Sequence, residues 1–153
     1  CEEKTGWGMV FYYWIINGST GYASGNITLA GTNFDAHPNY ANISLTRVDW
    51  QPGGCILHNK EDTILENYYP YNGKAYSEDL IHSFLLKKSS ISLFVVNRAK
   101  CSTKPSPHLK ATNEMYRDFK ARLYFTKMAN LSIVRMCLHY IFYIANSKIR
   151  KKA

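Results

Sequence analysis

Residues 7 to 16, WGMVFYYWII, run without a charged side chain and end on Asn17-Gly18. A folded chain must find cover for such a run, because each large side chain left in water forgoes roughly 1.5–3 kcal/mol of burial. Its apolar residues do not alternate with polar ones, which reads as a strand buried on both sides or set in a barrel wall. Asn-Gly is a strong hairpin signal, since both residues tolerate positive φ. The return strand is expected over residues 22–30, with Gly21, Gly25 and Gly31 as weak points or bulges.

The next strand expected is ANISLTRVDW, residues 41–50, where Asn42, Ser44 and Thr46 alternate with Ala41, Ile43 and Leu45. Val48 and Trp50 fall out of that phase, which predicts a bulge near Thr46-Arg47. Gln51-Pro52-Gly53-Gly54 is a turn. Leu80, Ile81, Phe84 and Leu85 stand at helical spacing, with strand as the competitor, and ISLFVVN (91–97) reads as a buried strand. The linker KCSTKPSPH (100–108) precedes an amphipathic helix over 108–128, with Met115, Phe119 and Leu123 on one face and Ser106-Pro107 as its start signal. With 153 residues, one sizeable core is within reach. The expected fold class is α+β. An antiparallel β-rich barrel or sandwich fills residues 1–104, and a basic helical extension, 105–153, packs on the same domain.

Four cysteines stand at Cys1, Cys55, Cys101 and Cys137. An even, widely spaced set favours two disulfides, each stabilising by roughly 2–4 kcal/mol, and spacing leaves all three pairings open. Four buried free thiols are the alternative. Asn17-Gly-Ser19, Asn26-Ile-Thr28, Asn42-Ile-Ser44 and Asn130-Leu-Ser132 all fit the N-glycosylation pattern. With the cysteines and a first residue other than Met, which reads as a removed signal peptide or as a fragment, they point to an extracellular, secreted glycoprotein.

Residues 1–80 carry four Lys/Arg against nine Asp/Glu, whereas residues 81–153 carry fifteen against two. That asymmetry gives the C-terminal half an affinity for anions: an anionic glycan or a membrane surface. Residues 129–145 are apolar nearly all round and are followed by a basic cluster, which imitates a membrane span with its flank. The stretch falls short of the roughly 20 residues a span needs, and Arg135 sits at its centre. The preferred expectation is a helix or strand packed on the sheet, with Cys137 in a disulfide and membrane anchoring as the alternative.

Catalytic patterns are missing: no G-x-S-x-G, no phosphate-cradling glycine loop and no H-E-x-x-H occurs. Cys55-x-x-His58 and Cys137-x-His139 lack a second half at finger spacing, so no metal or other cofactor is expected. The basic residues come with no nucleic-acid reader motif, and no nucleic-acid partner is expected. Strands followed by a linker and one amphipathic helix resemble the plan of the lipocalin-like carriers. Architecture alone carries that likeness, because Gly6 adjoins Trp7 and their glycine–any residue–tryptophan signature is out of register. The likeness implies a non-enzymatic carrier whose interior, lined partly by Trp7, Phe11, Tyr13 and Trp50, holds a small apolar or amphipathic ligand. The rival expectation is an extracellular recognition module that binds another protein through exposed tyrosines and a basic face. A third reading makes the four aromatics ordinary core.

Overall fold

A computed structural model describes residues 6–36, 45–54, 56–72, 74–96, 99 and 112–150, with side chains described from 113 to 145 in the last segment. The described elements run α1 (Trp7–Asn17), β1 (Leu45–Val48), one 3-10 turn (Lys60–Asp62), α2 (Glu78–Lys88), β2 (Leu93–Val96), α3 (Thr112–Met128) and α4 (Ile133–Arg150). The sheet is a single antiparallel pair with Leu45 opposite Val96 and Val48 opposite Leu93. Four helices and two short strands replace the expected barrel or sandwich, and an open two-stranded sheet encloses nothing.

The main correction is at residues 7–16, which form helix α1 and not a strand. Asn17-Gly18 closes the helix instead of turning a hairpin. Gly18 adopts φ 73°, and its N–H donates to the Trp14 carbonyl at 2.8 Å. The other free carbonyls at this end are met from far along the chain. The Arg135 guanidinium donates to the carbonyls of Trp14 and Ile15 at 2.7 and 2.6 Å, and the Ala30 N–H to that of Ile16 at 2.8 Å. A cation at a helix C-terminus also opposes the helix dipole. The tertiary partners therefore favour a helix where the local pattern is mute.

Residues 18–36 contain one isolated bridge, Ile27 to Asn33, in place of a return strand. The loop works as a hub. Its backbone accepts from Ser132 N at Leu29, from Arg122 Nη1 at Gly31 and from Asp49 N at Gly25, at 2.9, 2.8 and 2.8 Å. At Gly31, φ is 69° and an added Cβ would run into Thr126 Oγ1, so only glycine fits the turn.

The core has three patches. Ile15 and Ile16 pack with Ala30 and Phe34; Val48 and Leu93 clamp Leu86 of α2 to the sheet; Leu80 and Ile81 meet Phe125 of α3. Helix α2 carries Glu78 and Asp79 in its first turn and Lys87 and Lys88 in its last, a charge order that suits its dipole. Strand β1 pairs without the bulge expected at Thr46-Arg47, and among the described residues of the strand expected at 91–97 only Leu93 is buried. Helix α3 lies where the amphipathic helix was expected, but its most buried residues are Ala121, Phe125 and Thr126, beside the Met115/Phe119/Leu123 stripe. The linker and the Ser106-Pro107 start signal lie outside the described residues.

Helix α4 packs against α1 and α3 and not on the sheet as expected. Asn130, at φ 52°, ends α3 in a left-handed cap where Leu131 N–H reaches the Thr126 carbonyl at 2.8 Å. Ser132 then starts α4, its Oγ accepting from Arg135 N. Among the described residues no helix is long and apolar enough to cross a membrane. The disulfide expectation is also corrected: Cys137 is a free, half-buried thiol held in α4 by helix packing, with no sulfur partner among the described residues. Cys1, Cys55 and Cys101 lie outside them.

Candidate functional site

The four aromatics singled out in the sequence do not converge. Tyr13 packs edge-on against Phe34, with ring centroids 5.5 Å apart, and Trp50 donates its indole N–H to the Phe34 carbonyl at 2.8 Å. Those two are half-buried structural groups around one residue of the hub loop. Trp7 and Phe11 sit instead on the outer side of α1, 91% and 54% exposed. Two clefts, of about 220 and 280 Å³, open elsewhere, and none of the four aromatics lines either.

The larger cleft gathers His58, Tyr68, Glu78, Asp79 and His82. His58 and His82 meet edge to face at 5.1 Å, and Tyr68 Oη donates to Glu78 Oε1 at 3.3 Å. Burial, then the Glu78 charge, pushes the Tyr68 hydroxyl up to about 12; burial, then His58, lowers His82. Among the described residues no three His, Cys, Asp or Glu are arranged to hold a metal ion. His58 lies on this cleft, while Cys55 is outside the described residues.

A second polar cluster joins three helices. Tyr12 of α1 shares a 2.8 Å hydrogen bond with His139 Nδ1 of α4, and Tyr140 donates to Asp118 Oδ2 of α3 at 3.1 Å. Arg122 sits at 3.9 Å from Asp118. Burial, reinforced by the Arg122 charge, lowers His139 to about 4, so the ring is neutral at neutral pH and acts as a hydrogen-bonding strut.

The outer face of the α1–α4 pair is different in kind. Three cross-contacts set the helices antiparallel: Arg135 to Trp14 and Ile15, His139 to Tyr12, and Phe142 edge-on to Phe11. Residues 7, 11 and 14 recur at i, i+4 and i+7 on the side of α1 opposite Ile16, with Ile15 at the edge that turns toward α4. Residues 134, 138 and 141 recur likewise on α4, opposite Met136 and Tyr140. The Phe11–Phe142 contact joins the two stripes into one surface, with Trp14 51%, Val134 70% and Ile141 61% exposed. Contiguous apolar surface of this kind on a folded chain marks an interaction site more often than a lone exposed leucine does. Trp14, Val134, Leu138 and Ile141 were not picked out from the sequence, although their 4-then-3 spacing is visible once both segments are read as helices.

Two of the four Asn-x-Ser/Thr triplets begin at one end of this face. Asn17 ends α1 and Asn130 precedes α4, so the antiparallel pairing sets both at the same end; Asn130 and the loop residue Asn26 are exposed, and Asn17 is half-buried. Asn42 lies outside the described residues. Two of the triplets also have capping or packing roles: Ser132 caps α4, and buried Thr28 bonds to Thr32 Oγ1 at 2.8 Å. No protein-family model matches the sequence, and no curated protein or solved structure is significantly similar to it.

Proposed function

We propose that the protein is a secreted, non-enzymatic binding protein that docks on a partner surface through the outer face of α1 and α4. The observation that carries this reading is the joined exposure of Trp7, Phe11, Trp14, Val134, Leu138 and Ile141, helical stripes that the fold leaves uncovered. An open two-stranded sheet has no interior for a small ligand, so the binding is assigned to the outside of the molecule. Secretion rests on the four acceptor triplets, and the absence of catalytic sequence patterns motivates a binding role.

The test is saturable binding of the labelled, glycosylated chain to cell surfaces, read by flow cytometry. Phe11→Ser with Ile141→Ser should abolish it, and Leu57→Ser with Leu65→Ser should leave it intact. Leu57 and Leu65 are as exposed but lie on neither helix. Equal behaviour of the two double variants would remove the reading. All four positions are exposed, so folding should change by about 1 kcal/mol or less per site.

A further inference from the structure

Resting on that docking reading, we infer that the partner surface is an anionic lipid bilayer, on which the α1–α4 pair lies flat. Three observations converge on lipid. The first is the chemistry of the face. Its six named side chains offer no hydrogen-bonding group beyond the two indole N–H groups, whereas a protein interface carries about one hydrogen bond per 100–200 Å². Lipid acyl chains ask for none, and indoles favour the membrane–water boundary.

The second is charge. Helix α1 holds no charged residue and α4 no carboxylate. Counting the flanking sequence, residues 1–17 and 133–153 carry Lys4, Arg135, Lys148, Arg150, Lys151 and Lys152 against Glu2 and Glu3 alone. An apolar helical face whose own sequence and flanks are net cationic is the pattern of helices that lie in the interface plane of anionic membranes.

The third is polarity along the pair. Because α1 and α4 run antiparallel, Trp7 at the start of α1 lies at the same end as the last turn of α4, where the basic cluster begins. The acceptors Asn17 and Asn130 mark the opposite end. The basic cluster and the acceptor triplets thus mark opposite ends of the apolar face. A second copy of the chain, seated antiparallel on this face, would bring those glycan acceptors against the basic end. At 11 residues α1 is about 16 Å long, too short to cross a bilayer but long enough to lie in its interface.

The experiment is flotation of the full chain with vesicles of phosphatidylcholine alone and with about 30 mol % phosphatidylserine, alongside tryptophan emission. The serine-lipid vesicles should bind at least tenfold more tightly, with a blue shift from Trp7 and Trp14 and weakening in high salt. Phe11→Ser with Ile141→Ser should abolish binding. Lys148→Gln, Arg150→Gln, Lys151→Gln and Lys152→Gln together should weaken it, by up to about fivefold per charge. Equal binding to both vesicles, or binding that survives the face variant, overturns the lipid assignment. If vesicles are ignored while cell binding still depends on Phe11 and Ile141, lipid is excluded and docking stands with a protein partner. A dimer on sedimentation that the face variant dissociates excludes lipid in favour of a second copy. Loss of vesicle binding, cell binding and self-association together overturns both readings.

Discussion

Helices α1 and α3 invert the usual match between composition and burial. Helix α1 has no charged side chain, yet its buried residues are only Ile15 and Ile16, both near its C-terminal end. Helix α3 carries Glu114, Arg117, Asp118, Lys120, Arg122 and Lys127, yet Ala121, Phe125 and Thr126 are fully buried. The difference lies in what covers each helix. Helix α3 is flanked by α2 and α4 and touched by Gly31 of the hub loop, whereas α1 has α4 and the loop on one side and nothing described on the other. Burial follows the number of neighbours a helix can recruit, and apolar residues in excess of that number are left for another surface.

The sharpest test of this contrast exchanges one phenylalanine in each helix. Phe125→Ala should lower unfolding free energy by about 3–5 kcal/mol through the cavity it leaves, and Phe11→Ala by about 1 kcal/mol through its lost edge contact with Phe142. Urea midpoints read both, and comparable losses would erase the distinction. Next comes the strut between α1 and α4. His139 titrates near 4 when folded and near 6.5 when unfolded, so between those values the unfolded chain binds more protons. Stability should be complete above about pH 6.5 and fall as pH drops toward 4, by up to about 3 kcal/mol, then level off. His139→Asn keeps an acceptor for Tyr12 and should flatten that slope, whatever it does to stability at neutral pH; His82, lowered in the same direction, leaves a residue of it. An unchanged slope would show that the imidazole stays accessible to protons.

A glycine pair gives the smallest effects, of opposite sign. Gly31→Ala forces a Cβ toward Thr126 at positive φ and should cost about 2 kcal/mol. Gly8→Ala, on α1 with nothing within 4 Å, should stabilise by about 0.5 kcal/mol through helix propensity. Thermal melts of both would decide whether α1 is bare on that side.

Periodicity made part of the fold legible. Leu80, Ile81, Phe84 and Leu85 announced α2, the 115/119/123 stripe announced α3, and the run at 91–97 announced β2. Helix α1 was misread because a run apolar on every side has neither the 2 nor the 3.6 period, and because positive φ at Asn-Gly serves a hairpin and a helix end alike. The barrel rested on that misreading together with the return strand expected at 22–30, where a single bridge stands. The candidate face was half legible: Trp7 and Phe11 were chosen for the wrong geometry, and their partners on α4 were hidden in a segment that looked uniformly apolar. Its antiparallel mate could not be read, since the Arg135 contacts that fix it span 120 and 121 residues.

That same span governs when the molecule can finish assembling. On a ribosome the run at 7–16 is made well before Arg135, which arrives more than a hundred residues later. Contacts this distant in sequence close slowly, since a long loop must be ordered before they repay it. Throughout that interval helix α1 has neither the Arg135 contacts at its end nor its antiparallel mate, and exposed apolar chain of this kind is what aggregates during folding. Truncation anywhere before α4 therefore leaves an early, wholly uncharged segment without its mate and adhesive.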